Sequence, residues 1–131
     1  MIAFALLAAA EAPLTPKQCA AAQTQIEMTM CAKQEFERAD AALNAVWTKL
    51  IAAARADDRS PDSGRTDTDT RSEEAILRKG QHAWVQFRDA ECEYEGLAER
   101  GGSMEPMTVN LCLARMTRER IKQLTAGEQQ R

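Results

Sequence analysis

Residues 76–97, ILRKGQHAWVQFRDAECEYEGL, hold the one dense cluster of large apolar side chains in the sequence. At about 100° per residue, a helix would place six small or apolar residues on one face, with Trp84 at its edge. These six are Ile76, Gly80, Ala83, Phe87, Ala90 and Tyr94. An alternating strand pattern fails at Arg88 and Asp89. The segment is therefore predicted to be a central amphipathic helix that buries this face. Cys92 would lie on the helix well outside the buried face.

Composition limits both the fold and the function. The 131 residues suit one domain, and alanine supplies much of the 44% hydrophobic content while aromatic residues make up 5%. Such a composition favours a helical bundle with a thin core. The formal net charge of −3 disfavours nucleic acid and anionic membranes as partners and mildly favours a basic partner.

An apolar run near the start of the sequence indicates export. Residues 2–10, IAFALLAAA, are uncharged and end in small residues, which is typical of a signal-peptide core. The run is shorter than the roughly 20 residues of a membrane-spanning helix. We therefore expect a signal peptide at residues 1–10 and no membrane span. Residues 11–131 are expected to form one periplasmic or secreted domain with its core at 19–126.

Four cysteines are expected to form two disulfides. They are Cys19, Cys31, Cys92 and Cys112. None belongs to a CxxC motif, and the single histidine, His82, cannot complete a zinc site at such wide spacings, so no metal is expected. Two disulfides indicate an oxidising compartment.

Three pairings of the four cysteines are possible. Cys92 and Cys112 lie ten residues before and after Gly102, so they would sit at matching depth in an antiparallel helical hairpin. We favour this pair together with Cys19–Cys31, in which the N-terminal segment folds back along the first helix. The alternative, Cys31–Cys92 with Cys19–Cys112, requires that segment to cross the end of the bundle.

Helix signals on both sides of the central segment predict an all-α, three-helix antiparallel bundle. An extended lead-in at residues 13–22 precedes the capping box Thr24–Glu27, where a first helix begins and runs to about Arg55. Residues 56–71 hold no large apolar side chain and are predicted to be a mobile loop. A second capping box, Thr70–Glu73, opens the central helix.

The third helix is predicted to follow a turn at Gly101 and Gly102. Its inward positions recur at three- and four-residue steps. They are Met107, Leu111, Ala114, Thr117, Ile121 and Leu124. Gly127 is expected to stop the helix.

Several residues of the central helix and its neighbour are assigned structural roles. Trp84 and Phe87 are predicted to be core residues, because their spacing matches the predicted buried stripe. Arg88 lies beside that stripe and needs polar partners if it is covered. A network that joins Arg88 to Asp40 or Asn44 across two helices would specify the fold.

The remaining polar candidates do not indicate catalysis. Asp89 lies beside the stripe, and Thr117 and Arg120 are expected to dock the last helix through hydrogen bonds. An acid and base pair needs carboxylates in contrasting environments, and no nucleophile or metal ligand set accompanies these carboxylates. We therefore predict no catalytic residue, no cofactor and no enzymatic activity.

The order of sequence blocks resembles a known family. After a C-x11-C spacing, the blocks are TQIEMTMCA, ADAALNAVWTKL, QHAWVQFRDAEC, GGS and CLARMTRERIKQL. Over about residues 19–124 they resemble the LprI-type lysozyme inhibitor domain of bacterial envelope proteins. The resemblance implies an exported, all-helical, disulfide-bonded domain without catalytic activity and, in the named member, inhibition of lysozyme. The lipid-attachment cysteine of that member has no match, so membrane tethering is not implied.

The predicted turn ERGGSMEP, residues 99–106, is the best candidate for contact with a partner. Glycines let a partner approach the backbone closely, and the polar side chains offer charge and hydrogen bonds on a scaffold held by a nearby disulfide. The candidate residues are Arg100, Gly101, Gly102, Ser103 and Glu105.

Two functions are compatible with these observations. In the first, the protein binds and inhibits a lysozyme-type muramidase by occupying its cleft, and acidic residues speed the encounter with a basic lysozyme. The acidic residues considered are Asp57, Asp58, Asp62, Asp67 and Asp69. In the second, the protein is a structural or adaptor module of the envelope that binds another protein and leaves lysozyme unaffected.

Overall fold

The computed structural model describes residues 12–128, which form four α-helices. They are α1 (Pro16–Ala20), α2 (Gln25–Arg59), α3 (Glu73–Gly96) and α4 (Glu105–Glu128), and a 3-10 turn, Leu97–Glu99, continues α3. These residues include no β-strand, so the prediction of an all-α fold is confirmed. The predicted signal peptide lies outside the described part of the chain.

The three long helices run up, down and up. The end of α2 meets the start of α3, where the Arg55 guanidinium lies 2.7 Å from the Glu74 carboxylate. The start of α4 returns beside the end of α3, to which the Cys92–Cys112 disulfide joins it, and α4 packs along α2. The predicted number of helices is too low by one, because α1 was assigned to an extended segment.

The lead-in contains the short helix α1 because its sequence caps one. The Thr15 hydroxyl accepts a hydrogen bond from the backbone N–H of Gln18 at 3.3 Å, and the Gln18 carboxamide oxygen accepts one from the backbone N–H of Thr15 at 2.8 Å. Pro16 stands in the first turn, where an N–H has no partner inside the helix. Cys19 on α1 is bonded to Cys31 of α2, as the favoured pairing predicts.

The loop between α2 and α3 is shorter than predicted, because α2 continues to Arg59. The Asp58 carboxylate accepts hydrogen bonds from the Ser72 hydroxyl at 2.7 Å and from two backbone N–H groups in the first turn of α3 at 2.7 and 3.1 Å. The bond from Ser72 and then that from the Glu74 N–H lower the pKa of Asp58. Ser72 is the N-cap of α3, so the predicted capping box Thr70–Glu73 is wrong, and Asp58 in the last turn of α2 adds a second cap.

The predicted core face of α3 is wrong. Ile76, Phe87 and Tyr94 are 56%, 58% and 72% exposed. The smaller members of the same face are also exposed; they are Gly80, Ala83 and Ala90. Phe87 is therefore not a core residue, and α3 turns a different side to the bundle.

The buried side of α3 is set by a covalent bond and by polar partners. Cys92 is 0% exposed in its disulfide with Cys112, and the two Cα atoms lie 5.4 Å apart. Arg88 is 7% exposed, and Trp84 is half-buried. Cys92 and Phe87 point about 140° apart on a helix, so one of them faces solvent when the other is buried.

The inward side of α4 follows the prediction in part. Ala114 and Thr117 are 0% exposed, as their positions in the stripe require. Leu111 is 41% exposed, because Cys112 at the next position faces α3. Within the described residues, α4 extends to Glu128, one residue past the predicted stop at Gly127.

Small side chains fill most of the core between the helices. The buried apolar residues are Cys31, Ala32, Ala39, Leu43, Ile51, Ala54, Cys92, Cys112 and Ala114. At Gly96, an added Cβ would lie 2.5 Å from Val109 Cγ2, so a larger residue would require the Val109 side chain or the two helices to shift. The two helices are thus closely packed near the turn that joins them.

Candidate interaction site

One buried guanidinium group connects the three long helices. Arg88 of α3 donates hydrogen bonds to Asp40 of α2 at 3.4 Å and to the Thr117 hydroxyl of α4 at 3.3 Å. It also donates to Asp89 at 2.9 Å, and Asn44 donates to the second oxygen of Asp40 at 3.3 Å. The side chain of Arg88 is 8% exposed, so its charge depends on these partners.

Aromatic rings cover the remaining sides of this group. The Arg88 guanidinium carbon lies 5.2 Å from the ring centroids of both Phe36 and Trp84. Arg120 stacks on Trp84 at 5.5 Å and donates a hydrogen bond to Gln81 at 3.0 Å, and burial lowers the pKa of Arg120. Each cation–π contact contributes about 0.5 to 2 kcal/mol, depending on how far it is desolvated.

This arginine–aromatic cluster is suited to holding the fold together. Two carboxylates can act together as an acid and base pair only where their environments differ. Asp40 and Asp89 both contact Arg88 and are both partly exposed, at 40% and 57% of their side chains. The cluster therefore links helices and does not present a pair of catalytic groups.

The turn between α3 and α4 is exposed and is ordered by its own hydrogen bonds. Four of the five predicted contact residues are exposed: Arg100, Gly101, Gly102 and Ser103. Gly101 has a φ of +72°, a conformation that favours glycine, and its N–H donates to the Glu105 carboxylate at 2.7 Å. The Gly102 N–H donates to the Glu99 carbonyl at 2.8 Å. Glu105 is half-buried and holds the turn in shape, so it is not a free contact residue.

The base of this turn is constrained by close packing and by a disulfide. Gly96 and Val109 pack closely near the turn, and the Cys92–Cys112 bond joins the two helices about 15 Å below it. Met104 at the edge of the turn is 42% exposed, and Leu97 is 38% exposed. The turn thus presents backbone groups and some apolar surface on a fixed support, as a binding loop requires.

Acidic residues lie at both ends of the bundle, and the two groups differ. Glu91, Glu93, Glu95 and Glu99 precede the exposed turn. The five aspartates considered above lie in the last turn of α2 and in the loop that follows it. Because α3 is 24 residues long, the two ends are about 36 Å apart.

Part of the aspartate group is already paired within the protein. Asp58 caps α3, and Asp69 lies 2.6 Å from the Arg71 guanidinium, whose hydrogen bonds lower the pKa of Asp69 to about 2. Asp57, Asp62 and Asp67 are exposed. This end of the molecule therefore offers less uncompensated negative charge than its composition indicates.

The structure brings most of the predicted structural residues into one cluster. Its members are Trp84, Arg88, Asp89, Asp40, Asn44, Thr117 and Arg120. Phe87 lies outside it. Sequence reasoning did not pair Phe36 or Gln81 with the two arginines, and it missed Asp58 as a cap of α3. The three- and four-residue spacing of Phe36, Ala39 and Leu43 does indicate that Phe36 lies on the inward side of α2.

These features define a class of protein, namely a small all-helical domain that two disulfides hold together and that displays an exposed, hydrogen-bonded turn at one end. Among the described residues, no helix is long and apolar enough to cross a membrane. The family model of the lysozyme inhibitor LprI matches residues 17–124. The chain therefore belongs to the LprI family.

Two curated relatives have sequences similar to this chain. The uncharacterized protein R02472 of Rhizobium meliloti (strain 1021) is 39% identical over 126 residues, which cover 93% of this chain and 89% of the relative. The uncharacterized protein YecT of Escherichia coli (strain K12) is 38% identical over 63 residues, which cover 48% of this chain and 36% of YecT. No solved structure matches the chain significantly.

Proposed function

We propose that this protein is exported to the periplasm or secreted, and that it binds and inhibits a lysozyme-type muramidase without chemistry of its own. The single observation that carries the proposal is the match to the lysozyme inhibitor family over residues 17–124. The two disulfides support export, because such bonds persist in oxidising compartments. Inhibition would follow from occupancy of the substrate cleft.

The turn at residues 100–104 is the proposed contact with lysozyme. It protrudes from the end of a helical hairpin, so it can enter a concave site that a flat helix face cannot fill. Its internal hydrogen bonds and the disulfide below it restrict its motion before binding. A partner that binds a preorganised loop loses less conformational entropy, and the affinity is correspondingly higher.

Three glutamates outnumber the exposed Arg100 at this end of the molecule, and their net negative charge suits a basic partner. Animal-type lysozymes are strongly basic, and Glu91, Glu93 and Glu99 lie on the same end of the molecule as the turn. The aspartate loop is about 36 Å away, several times the Debye length of about 8 Å at physiological salt. We therefore assign electrostatic attraction mainly to the glutamates beside the turn, and not to the aspartates at the other end.

A pair of matched variants tests this proposal. The oxidised protein is titrated against lysozymes of several classes, and the rate of cell-wall lysis is measured. Ser103→Arg adds bulk and one positive charge at the turn and is expected to weaken inhibition by at least about tenfold, as for a central contact residue. Thr68→Arg makes a similar change at an exposed position in the opposite loop and is expected to leave inhibition within about twofold.

The outcomes separate the possible roles. Equal losses of inhibition in Ser103→Arg and Thr68→Arg would show that the contact with lysozyme does not lie at the turn. An absence of inhibition with every lysozyme class at excess protein would refute the proposal. In that case, copurification with an envelope protein would support the adaptor role.

A further inference from the structure

The exposed side of α3 is an apolar face that runs along the helix. Ile76, Phe87 and Tyr94 are each more than half exposed, and Ala83 and Ala90 lie between them on the same side. A contiguous apolar stripe of this kind is typical of a surface that contacts another protein, whereas single exposed apolar residues are common.

A glycine within this face gives a second indication of close approach. Gly80 lies inside α3, and a Cβ built there would meet nothing within 4 Å. Glycine inside a helix lowers helix stability relative to alanine, and packing within the monomer does not require it here. A helix from another molecule that packs against the face would gain from the absent side chain.

We propose that this face is a homodimer contact in which α3 of a second copy packs antiparallel against it. The face is self-complementary about position 85. Under that twofold axis, Ile76 lies opposite Tyr94 of the second copy, Gly80 opposite Ala90, and Ala83 opposite Phe87. Each Phe87 thus meets an alanine, and the glycine meets a small residue, so two such helices can interlock without a clash.

The charges at the sides of the face select the antiparallel direction. Lys79 flanks its N-terminal half, and Glu91 and Glu93 flank its C-terminal half. In the antiparallel pair, Lys79 of one copy lies level with these two glutamates of the other, and Glu93 is on the same flank. In a parallel pair, Lys79 would lie level with Lys79 of the other copy and each glutamate level with its counterpart, so no lysine would lie level with a glutamate, which is less favourable.

The available area is enough for a reversible dimer. A fully buried Phe or Tyr removes about 150 to 250 Å² of surface, so the exposed parts of Phe87 and Tyr94 in two copies supply on the order of 500 Å². Ile76 and the stems of the flanking side chains add to this. The total approaches the roughly 1,000 Å² at which specific interfaces begin, as for a weak, reversible dimer.

Sedimentation equilibrium of the oxidised protein, from low micromolar to near-millimolar concentration, tests the proposal. The unmodified protein is expected to pass from monomer to dimer. Phe87→Asp is expected to raise the dimer dissociation constant by at least about tenfold. Ile26→Asp, at a position that is 74% exposed on α2, serves as the matched control and is expected to leave the constant unchanged.

Two further variants keep the test decisive if Phe87→Asp folds poorly. Gly80→Gln favours the helix of the monomer but places a long side chain where the helices meet, so it should also weaken the dimer. Lys79→Glu should weaken the dimer, and adding Glu93→Lys should restore it. A protein that stays monomeric at near-millimolar concentration would overturn the proposal. So would a dimer that neither Phe87→Asp nor Gly80→Gln weakens, or one that Lys79→Glu leaves unchanged.

Discussion

The two sides of α3 carry different kinds of side chain. The side that faces the bundle carries Cys92, Arg88 and Trp84, whereas the side that faces solvent carries Phe87 and Tyr94. Apolar size alone would bury the second side. The comparison shows that a disulfide and a satisfied guanidinium group can determine which side of a helix is buried.

Approximate energies account for this choice. Burial of Phe87 would contribute about 2 kcal/mol. The Cys92–Cys112 disulfide contributes about 3 kcal/mol for its sequence separation of 20, and the contacts of Arg88 with Trp84 and Phe36 add to that. Turning α3 to bury Phe87 would break all of these contacts, so the observed orientation is the more stable one.

The largest expected effect is loss of the disulfide that fixes the buried side. Replacing both Cys92 and Cys112 with alanine should lower the free energy of unfolding by about 3 to 4 kcal/mol, because the bond restricts the unfolded chain and both sulfurs are fully buried. Urea titration measures the change. The same replacement of Cys19 and Cys31 is the comparison, and it should cost less, since Cys19 is only partly buried.

The second largest expected effect on the free energy of unfolding is that of removing the Arg88 guanidinium group. Arg88→Ala should lower the free energy of unfolding by about 2 to 3 kcal/mol, since it removes two aromatic contacts and leaves the buried Thr117 hydroxyl without its partner. Asp89→Ala is the control and should cost under about 1 kcal/mol, because that carboxylate is 57% exposed. Equal losses in the two variants would contradict a central role for Arg88.

Acid should lower the stability that the start of α3 contributes to the fold. Hydrogen bonds from Arg55 and then Arg78 lower the pKa of Glu74 to about 2 from an ordinary value of 4.5. The unfolded chain therefore takes up a proton at this carboxyl first, and the stabilisation present above pH 4.5 is lost as the pH falls toward 2. Urea midpoints measured over this range should fall less steeply in Glu74→Gln than in the unmodified protein. Identical slopes would show that the ion pairs are absent in solution.

The smallest expected effect is on the outer side of the helix. Phe87→Ser should change the free energy of unfolding by less than about 0.5 kcal/mol, because the residue is 58% exposed. The measurement needs a concentration at which the protein is monomeric. A loss of about 3 kcal/mol would be typical of a core residue and would support the orientation that apolar periodicity predicts.

Local rules predicted the elements of the fold more reliably than their orientation. The capping box at Thr24 and the depth of Cys92 and Cys112 gave the start of α2 and the disulfide pairing. The end of α2 was misplaced because Asp58 is stabilised by a contact with α3, which is distant in sequence. The face of α3 was misjudged because periodicity identifies an apolar stripe but does not reveal what covers it.

The candidate site was predicted to a similar extent. The glycines at 101 and 102 indicated an exposed turn, and the structure has one. The sequence could not show that Glu105 bonds to that turn, nor that the aspartate loop and the turn lie at opposite ends of α3. Both depend on how the helices are arranged in three dimensions.

Hydroxyl-radical footprinting of the oxidised protein tests the orientation of α3 most directly. At a concentration where the protein is monomeric, the oxidation rate of each aromatic side chain is compared with its rate in the unfolded chain. We predict that Phe87 and Tyr94 react at rates close to those of the unfolded chain and that Trp84 is clearly protected. Protection of Phe87 and Tyr94 together with free reaction of Trp84 would contradict the account.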